Sequence, residues 1–159
     1  MSGPLRVTVR RSVFPTPPRD VLEADTYQDA LRLSRKRYGI GLTAQSYALR
    51  RRILETDAVA RSEQRLIEIH PEVTFRALAG RPLSSSKRSW NGHSERRRLL
   101  SGVGLSLPDR LPEPVGTVPA HDVLDAAAAA WSAGRYAAGE ALSLPNELPL
   151  PGFGEVIWY

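Results

Sequence analysis

The sequence predicts an α/β domain that is rich in helix and short of strand. Two apolar segments, Leu66 to His70 and Glu155 to Tyr159, read as members of a covered sheet. Between them lie helix patterns closed by glycines, the longest of them alanine-rich and starting near Asp122. Two or three strands make a narrow sheet for five helices to cover, so the amino-terminal part looks short of strands.

In chain order, Leu5 to Val9 fits a short strand that Arg10, Arg11 and the Pro15 to Pro18 cluster bring to an end. Thr26 can cap a helix running to about Tyr38, stopped by Gly39 and Gly41. A second helix is expected from Thr43 to near Ala60, with Ala44, Tyr47, Ala48, Ile53 and Leu54 at helical spacing. In the strand Leu66 to His70, Ile67 and Ile69 face one side and Leu66, Glu68 and His70 the other. Pro71 then opens a helix over Glu72 to Ala79, which Gly80 ends. Arg81 to Asn91 reads as a polar, Ser-rich loop, and Ser94 to Leu100 as a helix closed by Gly102 and Gly104. Ser106 to Pro119 holds four prolines and reads as an irregular connection. The long helix runs from Asp122 to Gly134 or Gly139, and a loop with three prolines leads to the last strand. No internal repeat or clear linker divides the 159 residues, which suit one domain.

Composition narrows the chemistry. There is no Cys, which excludes disulfides and thiolate zinc sites. Nothing near Met1 resembles a signal peptide and no apolar run approaches a membrane span, so the expected location is the cytoplasm. The formal charge is +5, and 20 of the 22 basic residues are Arg. Arg presents a planar fork of donors suited to phosphates, although a GC-rich genome also enriches it.

The informative acids are Glu68, Asp122 and Asp125. Asp122 and Asp125 lie three residues apart on one helix face. The alanine-rich run that follows needs no acid at its foot for packing. Asp122 also suits a helix cap, whereas Asp125 lies past the cap position. Glu68 stands inside an apolar strand, where an ionised carboxylate is costly unless it is paired or bound to metal. Such hard oxygen ligands suit Mg²⁺ or Mn²⁺, and two such ions can support phosphodiester hydrolysis. His70 is a candidate substrate or metal contact, and Glu72 has the ordinary role of an acid in a first helical turn. Lys87 and Arg96 are the candidate phosphate contacts. Trp90 beside Lys87 and Arg88 offers a base an aromatic surface.

Several ordered segments resemble one family. They are Arg11 to Arg19, Gly41 to Gln45, Ile53 to Asp57, Glu68-Ile69-His70-Pro71-Glu72-Val73-Thr74-Phe75, the Lys87 to Gly92 loop, and His121-Asp122-Val123-Leu124-Asp125-Ala126. Together they resemble the prokaryotic family described as predicted RNase H-like nucleases, or domain of unknown function four-two-nine, from about Arg10 to Tyr159. The resemblance implies an RNase H-like core with a mixed sheet and a nuclease that uses Mg²⁺ or Mn²⁺. It matches Glu68 to the strand acid of the metal site and Asp122 and Asp125 to its late-helix pair. The family also begins with a strand carrying Asp followed by Gly, inside a three-strand meander. Here Leu5 to Val9 holds no acid and no Asp precedes Asp20. The expectation is therefore an amino-terminally truncated RNase H-like domain that is weakly active or inactive alone. Nucleic acid is the expected partner, and an uncovered sheet edge suits a second copy. The alternative is a non-catalytic nucleic-acid-binding or assembly module.

Overall fold

The computed structural model describes residues 17–63, 65–144 and 156–159. The chain divides into two units, Met1–Leu66 and Ile67–Tyr159. The strand expected over Leu5 to Val9 lies outside the described residues.

The first unit is helical: α1 (Arg19–Leu22), α2 (Tyr27–Tyr38), α3 (Ala44–Ala48) and α4 (Arg50–Ala60). Thr26 caps α2 as expected. Its hydroxyl oxygen accepts from the Asp29 amide at 3.1 Å and donates to the Asp29 carboxylate at 2.6 Å. Gly39 closes the helix at φ +68°, a left-handed conformation that favours glycine. The core of this unit is Val21, Ala30, Leu42 and Tyr47. Tyr27 and Tyr47 pack with ring centroids 5.7 Å apart. Their hydroxyls donate to the carbonyls of Leu42 (2.9 Å) and Ala24 (2.8 Å), which satisfies the polar tips of rings placed in apolar surroundings.

The helix expected from Thr43 to Ala60 is two helices that break at Leu49. The Leu49 amide turns back to Ser46 O at 3.3 Å, and no Gly or Pro marks the join. Tyr47 is anchored in the core while Leu49 stays 45% exposed. Periodicity alone therefore could not show the break.

The second unit holds β1 (Glu68–Ile69), α5 (Pro71–Ala79), α6 (Trp90–Gly102), α7 (Ala120–Ala137), β2 (Ser143–Leu144) and β3 (Ile157–Trp158). Pro71 opens α5 and Gly80 closes it at φ +65°, as expected. Helix α6 begins at Trp90 rather than Ser94, because Ser89 caps it by accepting from the Gly92 amide at 3.1 Å. Helix α7 starts at Ala120 and passes through Gly134.

Helices α5, α6 and α7 pack on one another around Phe75, Leu100, Leu124, Ala127 and Ala128. The small alanines let α7 approach its neighbours closely. The hydroxyls of Thr74 and Ser132, both fully buried, satisfy each other at 2.9 Å across α5 and α7. The sheet is mixed, in the order β1-β3-β2: β3 runs parallel to β1 and antiparallel to β2. Strand β2 was not expected, since it opens the segment read as a proline-containing loop. The expected five-residue strand Leu66 to His70 shrinks to Glu68–Ile69, at one side of the sheet among the described residues, with Glu68 exposed. Among the described residues the protein is thus α/β, mostly helical with a small mixed three-stranded sheet.

A candidate acidic site and its basic partners

Asp125 sits in the second turn of α7, where its carboxylate is largely shielded, with the side chain 21% exposed. Lys87, in the loop before α6, reaches across and donates from Nζ to Asp125 Oδ2 at 2.8 Å. The other oxygen, Oδ1, is buried and has no hydrogen-bond partner among the described residues. A shielded, half-satisfied carboxylate costs free energy that packing alone does not require. Of Glu68, Asp122 and Asp125, Asp125 is the most shielded.

Asp122, three residues earlier, is 58% exposed and lies 3.4 Å from His121 Nε2. Proline 119, not Asp122, occupies the cap position of α7. Glu68 lies on β1, exposed to solvent. His70 occupies the cap position of α5 and is partly buried.

Arg96 is inside the fold. Its side chain is 2% exposed, and it grips Glu72 with a two-pronged bond, Nε to Oε1 at 3.1 Å and Nη2 to Oε2 at 2.7 Å. Its Nη1 donates to the carbonyls of Gly92 (3.0 Å) and Ser85 (3.3 Å), and the guanidinium lies 5.4 Å from the Phe75 ring centre. Arg96 thus ties the Ser85 turn and α6 to the first turn of α5. The expected phosphate contact is, in this geometry, a buried brace. Glu95 on the same helix is also buried, and accepts from Arg81 at 2.7 Å.

Other cations face outward. Arg51 and Arg52 on α4 are exposed, as are Arg35 and Lys36 on α2. Helix α4 buries none of its side chains. Asp57 of α4 is held instead by Arg19 and Arg61.

The family model described as "Protein of unknown function (DUF429)" matches residues 5–149. The chain belongs to this DUF429 family. No curated protein and no solved structure matches it. The DUF429 match spans the Lys87–Asp125 pair, the Arg96–Glu72 brace, Glu68 and Asp122 alike. It leaves out β3, the central strand of the small sheet, at Ile157–Trp158.

For a divalent ion, the fit of these residues is incomplete. Asp125 supplies an oxygen of the right hardness that no donor uses, but Lys87 neutralises its partner oxygen. Among the described residues no group of three or more His, Asp or Glu side chains is placed to hold a metal ion. Glu68, Asp122 and Asp125 thus do not converge into one three-acid set there. The role of Arg97 was not foreseen, because its bonds to the Leu107 carbonyl and to Asp109 depend on how the connection over Ser106 to Pro119 folds back onto α6.

Proposed function

We propose that the protein acts on the phosphodiester backbone of nucleic acid as an RNase H-like, Mg²⁺- or Mn²⁺-dependent nuclease, with Asp125 as its central residue. The supporting observation is the Asp125 carboxylate: rigidly mounted on α7, shielded, and left with one oxygen unused. A bound cation would satisfy that oxygen and could activate water beside a phosphate. Lys87, already at the carboxylate, would balance the charge of an incoming phosphate and orient it. Glu68, Asp122 and His70 are proposed to complete the metal and substrate contacts, and Arg96 to support the substrate loop through its bond to the Ser85 carbonyl.

The test is cleavage of single-stranded, duplex and hybrid nucleic acids with Mg²⁺ or Mn²⁺, for the protein and its Asp125→Asn variant. Slow, metal-dependent cleavage that disappears in the variant is the expected result. No cleavage of any substrate, or cleavage that survives Asp125→Asn, refutes the reading. A second reading, a non-catalytic nucleic-acid-binding or assembly module, is favoured by one observation: the exposed arginines of α4, a helix that buries none of its own side chains.

A further inference from the structure

A separate cavity of about 630 Å³ lies between α6, the prolyl connection over residues 107–118 and the first turns of α7. That is a size typical of small-molecule sites. Its walls are of three kinds. Leu107, Val115, Val123 and Leu124 supply an apolar surface. Trp90 supplies an aromatic ring that is 82% exposed, an unusual degree for so large an apolar side chain. Arg97 and Arg110 supply positive charge, with Asp109 and Glu113 as acceptors beside them.

Arg97 holds the prolyl connection in place. It donates to the Leu107 carbonyl at 3.0 Å and to Asp109 at 2.9 Å. The Asp109 side chain is fully exposed, so this ion pair is weak and an incoming anion can replace it. Asp122 and Asp125 are not among the residues lining this cavity, although Val123 and Leu124 between them are. The cavity is therefore distinct from the acidic site.

We propose that this cavity binds a nucleotide unit: an aromatic base stacked on Trp90, sugar hydroxyls facing Asp109 and Glu113, and a phosphate taken by Arg97 and Arg110. A planar ring, hydroxyl donors and an anion in one small ligand match the three kinds of wall. A purely apolar ligand would leave Arg110 without a role, and inorganic phosphate alone would leave Trp90 without one. The same chemistry is offered by a free mononucleotide and by a terminal nucleotide of a strand. The inference is independent of the nuclease reading, since it needs neither metal nor cleavage.

The experiment is calorimetric titration of the intact protein in a metal chelator. The probes are a nucleoside monophosphate, its nucleoside, ribose 5-phosphate and a short single-stranded oligonucleotide. The monophosphate is expected to bind about tenfold more tightly than the nucleoside or the sugar phosphate, since each lacks one contact. Trp90→Ala and Arg110→Gln are each expected to weaken it about tenfold with circular dichroism unchanged, and Asp125→Asn to leave it unaltered. Tighter binding of the oligonucleotide assigns the site to a strand end, and tighter binding of the monophosphate to a free nucleotide. Absence of monophosphate binding, or wild-type affinity in both cavity variants, overturns the proposal. Failure to cleave nucleic acid leaves it standing.

Discussion

Lys87 and Asp125 form a partly shielded ion pair in which the lysine is the carboxylate's one described donor. Removing the lysine strands an acid that water reaches poorly. Lys87→Met is therefore expected to destabilise the protein by about 1–3 kcal/mol, because the carboxylate loses its partner and stays shielded. The double variant Lys87→Met with Asp125→Leu should recover most of that loss. Urea unfolding of the three proteins checks it, and a single variant as stable as wild type would show that Asp125 is freely solvated. A second residue-scale prediction concerns acid. Desolvation pushes Asp20 upward, but hydrogen bonds from Tyr38 and Arg37 outweigh it, so its carboxyl sits below the usual range. Asp57 is likewise raised by desolvation and lowered further by Arg19 and Arg61. The Arg65 side chain and backbone amide lower Glu63 to about 2. A carboxyl whose folded pKa is depressed adds stability above its unfolded pKa and loses it as pH falls through the folded value. For Glu63 the loss should thus fall between roughly pH 4, the ordinary carboxylate range, and about 2, and for Asp20 and Asp57 it should set in below that ordinary range. Carboxyl NMR titration reads these midpoints, and Asp20→Asn should soften the acid sensitivity of thermal unfolding.

At the scale of elements, two glycines on neighbouring helices separate packing from propensity. A Cβ placed on Gly92 in α6 would lie 1.9 Å from the Ser86 carbonyl oxygen and 3.1 Å from Arg96 Nη1. Backbone cannot yield as a flexible side-chain end can, so Gly92→Ala should destabilise by about 1–3 kcal/mol. In α7, by contrast, a Cβ on Gly134 meets nothing within 4 Å. There alanine only gains helix propensity, and Gly134→Ala should stabilise by about 0.5–1 kcal/mol. Thermal melts of the two variants should move in opposite directions, and a shared direction would refute the close approach of the Ser86 turn to α6. Capping chemistry made several boundaries legible beforehand: Thr26, Gly39, Pro71 and Gly80 all act as their residue types require. The break at Leu49 and strand β2 were not legible, because each is made by contacts with sequence-distant residues.

For the whole molecule, the +5 charge and the outward arginines bear on the nucleic-acid reading. Each neutralised phosphate releases condensed counterions, so affinity should fall steeply with salt. For four contacts, such as Arg35, Lys36, Arg51 and Arg52 would supply, the loss between roughly 50 and 200 mM salt is about a hundredfold. Fluorescence anisotropy with a labelled duplex measures it, and an affinity indifferent to salt would remove these residues from any nucleic-acid interface. No helix among the described residues is long and apolar enough to cross a membrane.

The family, the helix-rich α/β class and most helix ends were readable from the order of residues, because caps, glycines and apolar spacing act over a few residues and need no distant partner. The sequence also singled out Lys87 and Arg96 as cations of interest, but it could not distinguish their roles. The packed fold is what buries Arg96 against Glu72 and brings Lys87 to Asp125. It alone left Glu68 exposed on β1 and folded the prolyl connection over α6 to form an open cavity. Burial and ion pairing depend on which surfaces meet, and these surfaces belong to residues 24 to 38 positions apart in the two ion pairs.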